Sequence, residues 1–217
     1  ELILAHQKAV ETSLSVAENR YAHTRSGTKN AREISSSGNF IAAQFHHTVS
    51  RALDPQLHTH CVVLNAIKRS DGKWRSHHTD AVYQNSKFLG LVYQNELAKA
   101  ANKLGYQTQI QENGTFEIKG FSEKDLQTFS KRRQQILALG GGDQALNREL
   151  VLINRPKKQS AVNEQELKNF WQQELGPRFE LEKGQNRAHI PSPTLDFDSS
   201  FNHATAHEVS FNKEKAE

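Results

Sequence analysis

Residues 40–68 read FIAAQFHHTVSRALDPQLHTHCVVLNAIK and contain the pattern that decides the fold. Two segments in which apolar and β-branched residues are frequent, Phe40 to His47 and Leu57 to Lys68, flank a loop marked by Asp54-Pro55. Such segments, bounded by turn residues, are typical of β-strands. The sequence therefore predicts two consecutive strands, and histidines lie on both of them.

The His58-Thr59-His60 triplet is the strongest chemical feature. In a strand, residues i and i+2 project from the same face, so we expect both imidazoles to point into one space. Imidazole binds Zn, Mn, Fe, Ni and Cu, so this pair by itself does not select a metal. The triplet indicates a metal site and leaves the ion open.

A third histidine comes from the end of the preceding strand, where His46 and His47 are adjacent. Because side chains alternate, His47 follows the apolar row of Ile41, Ala43 and Phe45, which we expect to be buried, and His46 faces the other way. This favours His47 as the third ligand. Two alternatives stay open: the histidines are ordinary surface or core residues, or His58 and His60 join Asp54 in a 2-His-1-carboxylate oxygenase centre.

The remaining pattern predicts helices and hairpins around these strands. Helical spacing of apolar residues indicates a helix over residues 1–21, a long helix from Thr79 or Asp80 to about Leu104, a helical segment from Phe121 and a helix over 163–175. Two hairpin turns are expected at Asp71-Gly72 and Asn113-Gly114. Ser122 with Asp125 resembles a capping box. The His77-His78 pair is expected to be exposed.

Composition narrows the class of protein. The 217 residues carry a formal net charge of +4 and a pI near 9.1, and Lys119 to Ser160 holds nine basic against four acidic residues. Clustered Lys and Arg are typical of proteins that bind a phosphate backbone. Cys61 is the single cysteine, which excludes an internal disulfide and favours a reducing, cytoplasmic compartment. We expect no membrane segment, since no apolar run approaches about 20 residues.

The stretch from Phe45 to Asn65 closely resembles the metal motif of MobF-type conjugative relaxases, which belong to the HUH endonucleases. The agreement comprises FxHxxSR, then DPQLHTH, then the asparagine that follows the histidine pair, and weaker agreement extends over roughly residues 1–180. Rolling-circle replication initiators typically offer two histidines, and they leave FxHxxSR unexplained.

The resemblance implies a fold, a site and a reaction. The fold is an α+β domain in which helices pack on one face of an antiparallel, ferredoxin- or palm-like sheet. His47, His58 and His60 are the metal ligands for one divalent ion (Mn, Mg or Zn), which polarises the scissile phosphate of single-stranded DNA at a transfer origin while a tyrosine attacks it. The partners implied are that DNA, a downstream helicase domain and the conjugation machinery. The basic residues expected to contact DNA are Arg51, Lys131, Arg132, Arg133, Arg155, Lys157 and Lys158.

The sequence departs from the pattern of this family in one respect, the catalytic tyrosine. Tyr21, Tyr83, Tyr93 and Tyr106 match no catalytic motif, so no nucleophile is assigned and the tyrosine is expected upstream of Glu1. The sequence begins without Met, which predicts a fragment: residues 1–184 as a relaxase domain lacking its N-terminal part, inactive alone, and 185–217 as a polar linker or disordered tail. The second function considered is a non-catalytic module that binds single-stranded DNA.

Overall fold

The computed structural model describes residues 1–28, 31–138 and 163–176. In these ranges the helices are α1 (Leu2–Tyr21), α2 (Asp80–Gln84), α3 (Ser86–Lys103), α4 (Glu123–Thr128), α5 (Lys131–Ala138) and α6 (Glu164–Leu175). The strands are β1 (His23–Thr28), β2 (Ala31–Ser36), β3 (Ala42–Val49), β4 (Pro55–Val63), β5 (Ile67–Lys68), β6 (Trp74–Arg75), β7 (His77–His78), β8 (Thr108–Ile110) and β9 (Phe116–Ile118).

The described residues fall into two compact units. The described residues of the first unit lie in Glu1–Phe45 and Thr59–Lys119, and those of the second lie in His46–His58 and Gly120–Glu182. Strands β3 and β4 each contribute residues to both units. The predicted boundary at residue 184 and the predicted tail lie outside the described residues.

The core of the first unit forms where α1 packs against α3. Its buried residues include Ala17 and Tyr21 from α1 and Phe88, Leu89 and Val92 from α3. Residues three and four positions apart lie on one helix face, which explains why apolar residues at helical spacing are buried together in this core. The apolar side chain of Leu4 on α1 is nevertheless 68% exposed, and the long helix predicted from Thr79 or Asp80 to about Leu104 is divided at Asn85.

The strands form several small sheets, in which both predicted hairpins are present, whereas β1, β2 and β7 were not predicted from the sequence. In the described chain β2, β1 and β7 form one sheet in that order, and β3–β4, β5–β6 and β8–β9 form two-stranded sheets. The register of β1 with β2 and β7, of β5 with β6 and of β8 with β9 is antiparallel. The expected α+β class with antiparallel sheet is confirmed. The second predicted strand ends at Val63, and Ile67–Lys68 is a separate short strand.

Both predicted hairpin turns are present. Gly72 has a φ of 79° and donates its N–H to the Arg69 carbonyl oxygen, and Gly114 has a φ of 79° and donates to that of Gln111. A positive φ is strained for residues with a Cβ, which is why glycine occupies both positions. The turns set the register of β5 with β6 and of β8 with β9.

The second unit contains α4, α5 and α6. Ser122 caps α4: its hydroxyl accepts from the Asp125 N–H, and the Asp125 carboxylate accepts from the Ser122 N–H, so the predicted capping box is confirmed. The helical segment expected from Phe121 is two helices, because α4 ends at Thr128 and α5 begins at Lys131. Leu167 and Leu175 are the buried residues of α6.

We expect Ser122→Ala to lower the free energy of unfolding by about 1 kcal/mol, because the Asp125 N–H in the first turn of α4 loses its acceptor, the Ser122 hydroxyl. Urea denaturation followed by circular dichroism measures this difference. Ser122→Thr keeps the hydroxyl and is the control. An alanine variant as stable as the threonine variant would show that the box contributes nothing.

No helix in the described part of the chain combines the length and the apolar character needed to cross a membrane.

Candidate metal centre and its supporting loop

Two of the three predicted ligands lie next to each other. His47 on β3 and His58 on β4 are half-buried, and their rings lie nearly parallel, with centroids 5.2 Å apart and an angle of 24° between the planes. The structure thus brings these two imidazoles together from strands that the sequence separates by eleven positions. Two neighbouring imidazoles are ligands that divalent transition metals accept.

The orientation of His58 is fixed by its own strand. Its Nδ1 donates a hydrogen bond of 2.9 Å to the Gln56 carbonyl oxygen. A carbonyl oxygen only accepts, so in the neutral ring the lone pair belongs to Nε2. A backbone carbonyl that holds the second ring nitrogen in this way is common behind metal-binding histidines, where it sets the tautomer of the ligand.

His60 lies two residues further along β4 and is exposed. Among the described residues, no group of three or more His, Cys, Asp and Glu side chains is arranged as a finished metal site. The His47–His58 pair is therefore the part of the candidate centre that the structure assembles. The donor set itself fits a transition metal, since all three candidate side chains are imidazoles.

His46 and His47 differ in burial as expected, but the reason given for it was wrong. His46 is exposed and His47 is half-buried. The row that was expected to be buried ahead of His47 is not: Ile41 is 49% and Phe45 is 54% exposed. The alternation reverses at Phe45 and His46, which are both exposed, so burial of one strand face is not continuous along β3.

Ser50 organises the loop between β3 and β4. Its hydroxyl oxygen accepts from the Ala52 and Asp54 N–H groups, and its own N–H donates to the Asp54 carbonyl oxygen. Leu53 has a φ of 62°, which is unfavourable for a residue with a Cβ by roughly 1–2 kcal/mol. Ser50 therefore has a structural role within FxHxxSR: it closes the loop that joins the two histidine strands.

Asp54 and Leu53 attach this loop to helices of the same unit. Asp54 is 2% exposed, and its Oδ2 accepts from the backbone N–H of Lys131, at the start of α5, at 3.1 Å. The Lys131 ammonium is 3.6 Å from Oδ1 and lies 4.8 Å from the centre of the Phe170 ring. The Trp171 indole N–H donates to the Leu53 carbonyl oxygen at 2.9 Å. The loop is thus fixed at two adjacent residues.

These contacts do not favour the 2-His-1-carboxylate alternative. Such a centre needs a carboxylate available to the metal, whereas the Asp54 carboxylate is buried and engaged by Lys131. The Lys131 ammonium, which was expected to contact DNA, contacts Asp54 and Phe170 within the unit.

The other residues expected to contact DNA are divided between described and undescribed parts of the chain. Arg51 and Arg133 are exposed, and Arg132 is half-buried with its guanidinium donating to the Gln135 side chain at 3.4 Å. Arg155, Lys157 and Lys158 lie outside the described residues.

Two of the tyrosines are unsuited to attack a phosphate. Tyr21 is 2% exposed, and burial raises the pKa of its hydroxyl, against the opposing effect of the Arg20 cation. Burial also raises the pKa of Tyr93, whose hydroxyl bonds His6 at 2.8 Å. A raised pKa makes the phenolate harder to form. Tyr83 is 75% exposed on α2, without a catalytic motif around it.

Two histidines that were not predicted to be buried lie in the interior. His77, expected to be exposed, is 8% exposed. Its backbone N–H donates to the side-chain oxygen of Asn65, the asparagine that follows the histidine pair in the motif. His6 is 2% exposed and was not singled out. Its position three and four residues before Ala9 and Val10, which are both buried, was the available signal, because these positions share a helix face.

Comparison with known proteins gives consistent matches. The family model described as TrwC relaxase matches residues 1–177. The multifunctional conjugation protein TraI of Escherichia coli is 32% identical over 185 residues, and that of strain K12 is 31% identical; each match covers 80% of this chain. This chain spans 10% of the length of these relatives.

Solved structures of the conjugative relaxase TrwC resemble this chain throughout most of its length. The copper-bound and metal-bound complexes with oriT DNA each give a TM-score of 0.74 at 36% identity, covering 82% of this chain and 64% and 65% of theirs. The complex with a 27-mer comprising the recognition hairpin and the cleavage site gives 0.73 at 36% identity, covering 82% of this chain and 67% of that one.

This chain belongs to the TrwC relaxase family.

Proposed function

We propose that this chain supplies the metal-binding and DNA-binding part of a conjugative relaxase, which nicks single-stranded DNA at a plasmid transfer origin through a tyrosine nucleophile. The observation that carries the proposal is the His47–His58 pair on adjoining strands in a member of the TrwC relaxase family. The nucleophile is not assigned to any tyrosine of this chain; we expect it upstream of Glu1.

His47, His58 and His60 would hold one divalent cation, for which Mn, Mg and Zn are the candidates. Neutral imidazoles leave the charge of the ion uncompensated, and the bound ion would stabilise negative charge on phosphate oxygens. The contributions of this chain are orientation and rigidity. Gln56 sets the tautomer of His58, and Ser50 and Asp54 hold the loop from which β4 starts.

The proposed partner is the single-stranded DNA of the transfer origin. The TrwC structures similar to this chain are complexes with oriT DNA, and TraI is described as a multifunctional conjugation protein. We therefore also propose a helicase domain after this region, cooperation with the conjugation machinery, and a location in the bacterial cytoplasm. The single cysteine supports a reducing compartment.

A second candidate function is a non-catalytic module that binds single-stranded DNA. The burial of Tyr21 and the raised pKa values of Tyr21 and Tyr93 favour it for this chain taken alone. The two functions differ in whether a tyrosine from elsewhere in the same protein completes the site.

The test is formation of a covalent protein–DNA adduct on a denaturing gel, with Mn²⁺ and a single-stranded transfer-origin oligonucleotide. We expect none from the 217-residue chain, since a nucleophile must lie in line with the bound phosphate. A chain extended by the segment that precedes Glu1 in its gene should give the adduct. His60→Ala in that extended chain should abolish it. An adduct mapped to Tyr21 would contradict the proposal, and none from the extended protein would favour the binding module.

DNA binding should depend steeply on salt, because contacts with phosphates release counterions. We expect Arg133→Ala to reduce the slope of log affinity against log salt by roughly 0.7, the value for one phosphate contact on a single strand. Lys131→Ala is the matched control, since that ammonium is engaged by Asp54 and Phe170. Fluorescence anisotropy between about 50 and 200 mM salt measures both slopes. A flat salt dependence for the unaltered chain would contradict DNA binding.

A further inference from the structure

His6 connects two helices to the strand that carries two candidate metal ligands. It lies on α1, is 2% exposed, and uses both ring nitrogens. Nδ1 is 2.8 Å from the hydroxyl of Tyr93 on α3, and Nε2 is 2.7 Å from the hydroxyl of Thr59 on β4. The three residues belong to the first unit.

The two hydrogen bonds fix the ring firmly. A neutral imidazole has one donor and one acceptor, and both hydroxyls can take either role, so each nitrogen is satisfied in either tautomer. The Tyr93 ring meets the His6 ring edge-on, at 85° with centroids 5.5 Å apart. Leaving a buried polar group without a partner costs about 1–3 kcal/mol, so this side chain has a strong preference for one position.

Thr59 is the residue between His58 and His60. Neighbouring side chains of a strand point to opposite faces, so His6 contacts β4 on the face opposite to the one from which the two histidines project. A bond to the Thr59 side chain therefore restrains the backbone that carries both histidines, without occupying the space around them.

We propose that His6 is a positioning residue for the metal site: through Thr59 it holds the segment of β4 from which His58 and His60 project. The inference rests on the proposed function, since it concerns the same site. A purely structural role for His6 would affect stability alone, whereas the positioning role also affects metal affinity.

Two amide substitutions separate these roles. The amide of glutamine extends to about the position of Nε2 and can keep the bond to Thr59; the amide of asparagine is near the position of Nδ1 and can keep the bond to Tyr93. Both lose the ring and one hydrogen bond, so we expect similar losses of thermal stability. His6→Gln should bind Mn²⁺ within about 3-fold of the unaltered chain, and His6→Asn should bind about 10-fold more weakly, at the lower end of the effect of supporting groups on metal affinity.

The experiment is calorimetric titration of the 217-residue chain and its variants with Mn²⁺, at a temperature where circular dichroism shows each to be folded. Thr59→Val, which is close in shape, should lose as much affinity as His6→Asn, and the double variant should lose no more than either. If His6→Asn does not fold, Thr59→Val takes its place. Equal affinities of the glutamine and asparagine variants, or an unaltered affinity in Thr59→Val, would overturn the inference.

His58→Ala distinguishes the failure of this inference from failure of the proposed function. If that variant loses the metal while His6→Asn and Thr59→Val keep full affinity, His6 has a structural role only and the metal site stands. If the unaltered chain binds no Mn²⁺, or if His58→Ala binds it equally well, the proposed metal site is contradicted. The proposed positioning role of His6 is then contradicted as well.

Discussion

His58→Ala and His47→Ala should each weaken binding of Mn²⁺ or Zn²⁺ by at least roughly 100-fold, the upper end of what loss of a supporting group costs at a metal site. Each variant removes one of the two imidazoles whose rings lie 5.2 Å apart. His46→Ala is the matched control, because His46 is adjacent to His47 in sequence and is exposed. It should bind within about 2-fold of the unaltered chain. Calorimetric titration gives all of these affinities.

Two outcomes would contradict this expectation. If His46→Ala and His47→Ala lose equal affinity, the assignment of His47 as the ligand is wrong. If His58→Ala binds like the unaltered chain, the paired histidines are not a metal site, and their stacking has another role.

Asp54→Ala should lower the free energy of unfolding by about 2 kcal/mol, within the range for a hydrogen bond to a charged group. The carboxylate is 2% exposed and accepts the Lys131 N–H at the start of α5, which would lose its partner. Lys131→Ala removes the ammonium but keeps that N–H, and the side chain of Lys131 is 38% exposed. We therefore expect it to cost less than about 1 kcal/mol, since solvent screens the ion pair.

Urea denaturation monitored by Trp fluorescence and circular dichroism measures the free energy of unfolding of both variants. Asp54→Asn is an informative third variant. Asparagine keeps an acceptor for the Lys131 N–H and loses the charge, so its stability should fall between those of the other two. If Lys131→Ala is as destabilising as Asp54→Ala, the ion pair rather than the backbone hydrogen bond holds the loop.

The sequence by itself determined the local features of this protein. Periodicity predicted α1, α3 and α6; Asp71-Gly72 and Asn113-Gly114 marked the two hairpin turns; and Ser122 with Asp125 gave the cap of α4. The spacing of the histidines, with the motif around them, indicated the family. These features depend on residues within about one or two turns or strands of each other, where chain geometry alone limits what is possible.

Only the tertiary structure decided which polar groups are buried and what they contact. Asp54 contacts Lys131, 77 positions away; Leu53 accepts from Trp171, 118 positions away; and His6 bonds Thr59 and Tyr93, 53 and 87 positions away. Contacts with distant elements also explain two wrong predictions: Ile41 and Phe45, expected on the buried face of β3, are exposed, and His77, expected to be exposed, is buried. A strand fixes which side chains share a face, but the elements that pack on that face decide whether it is buried, and they come from distant parts of the chain.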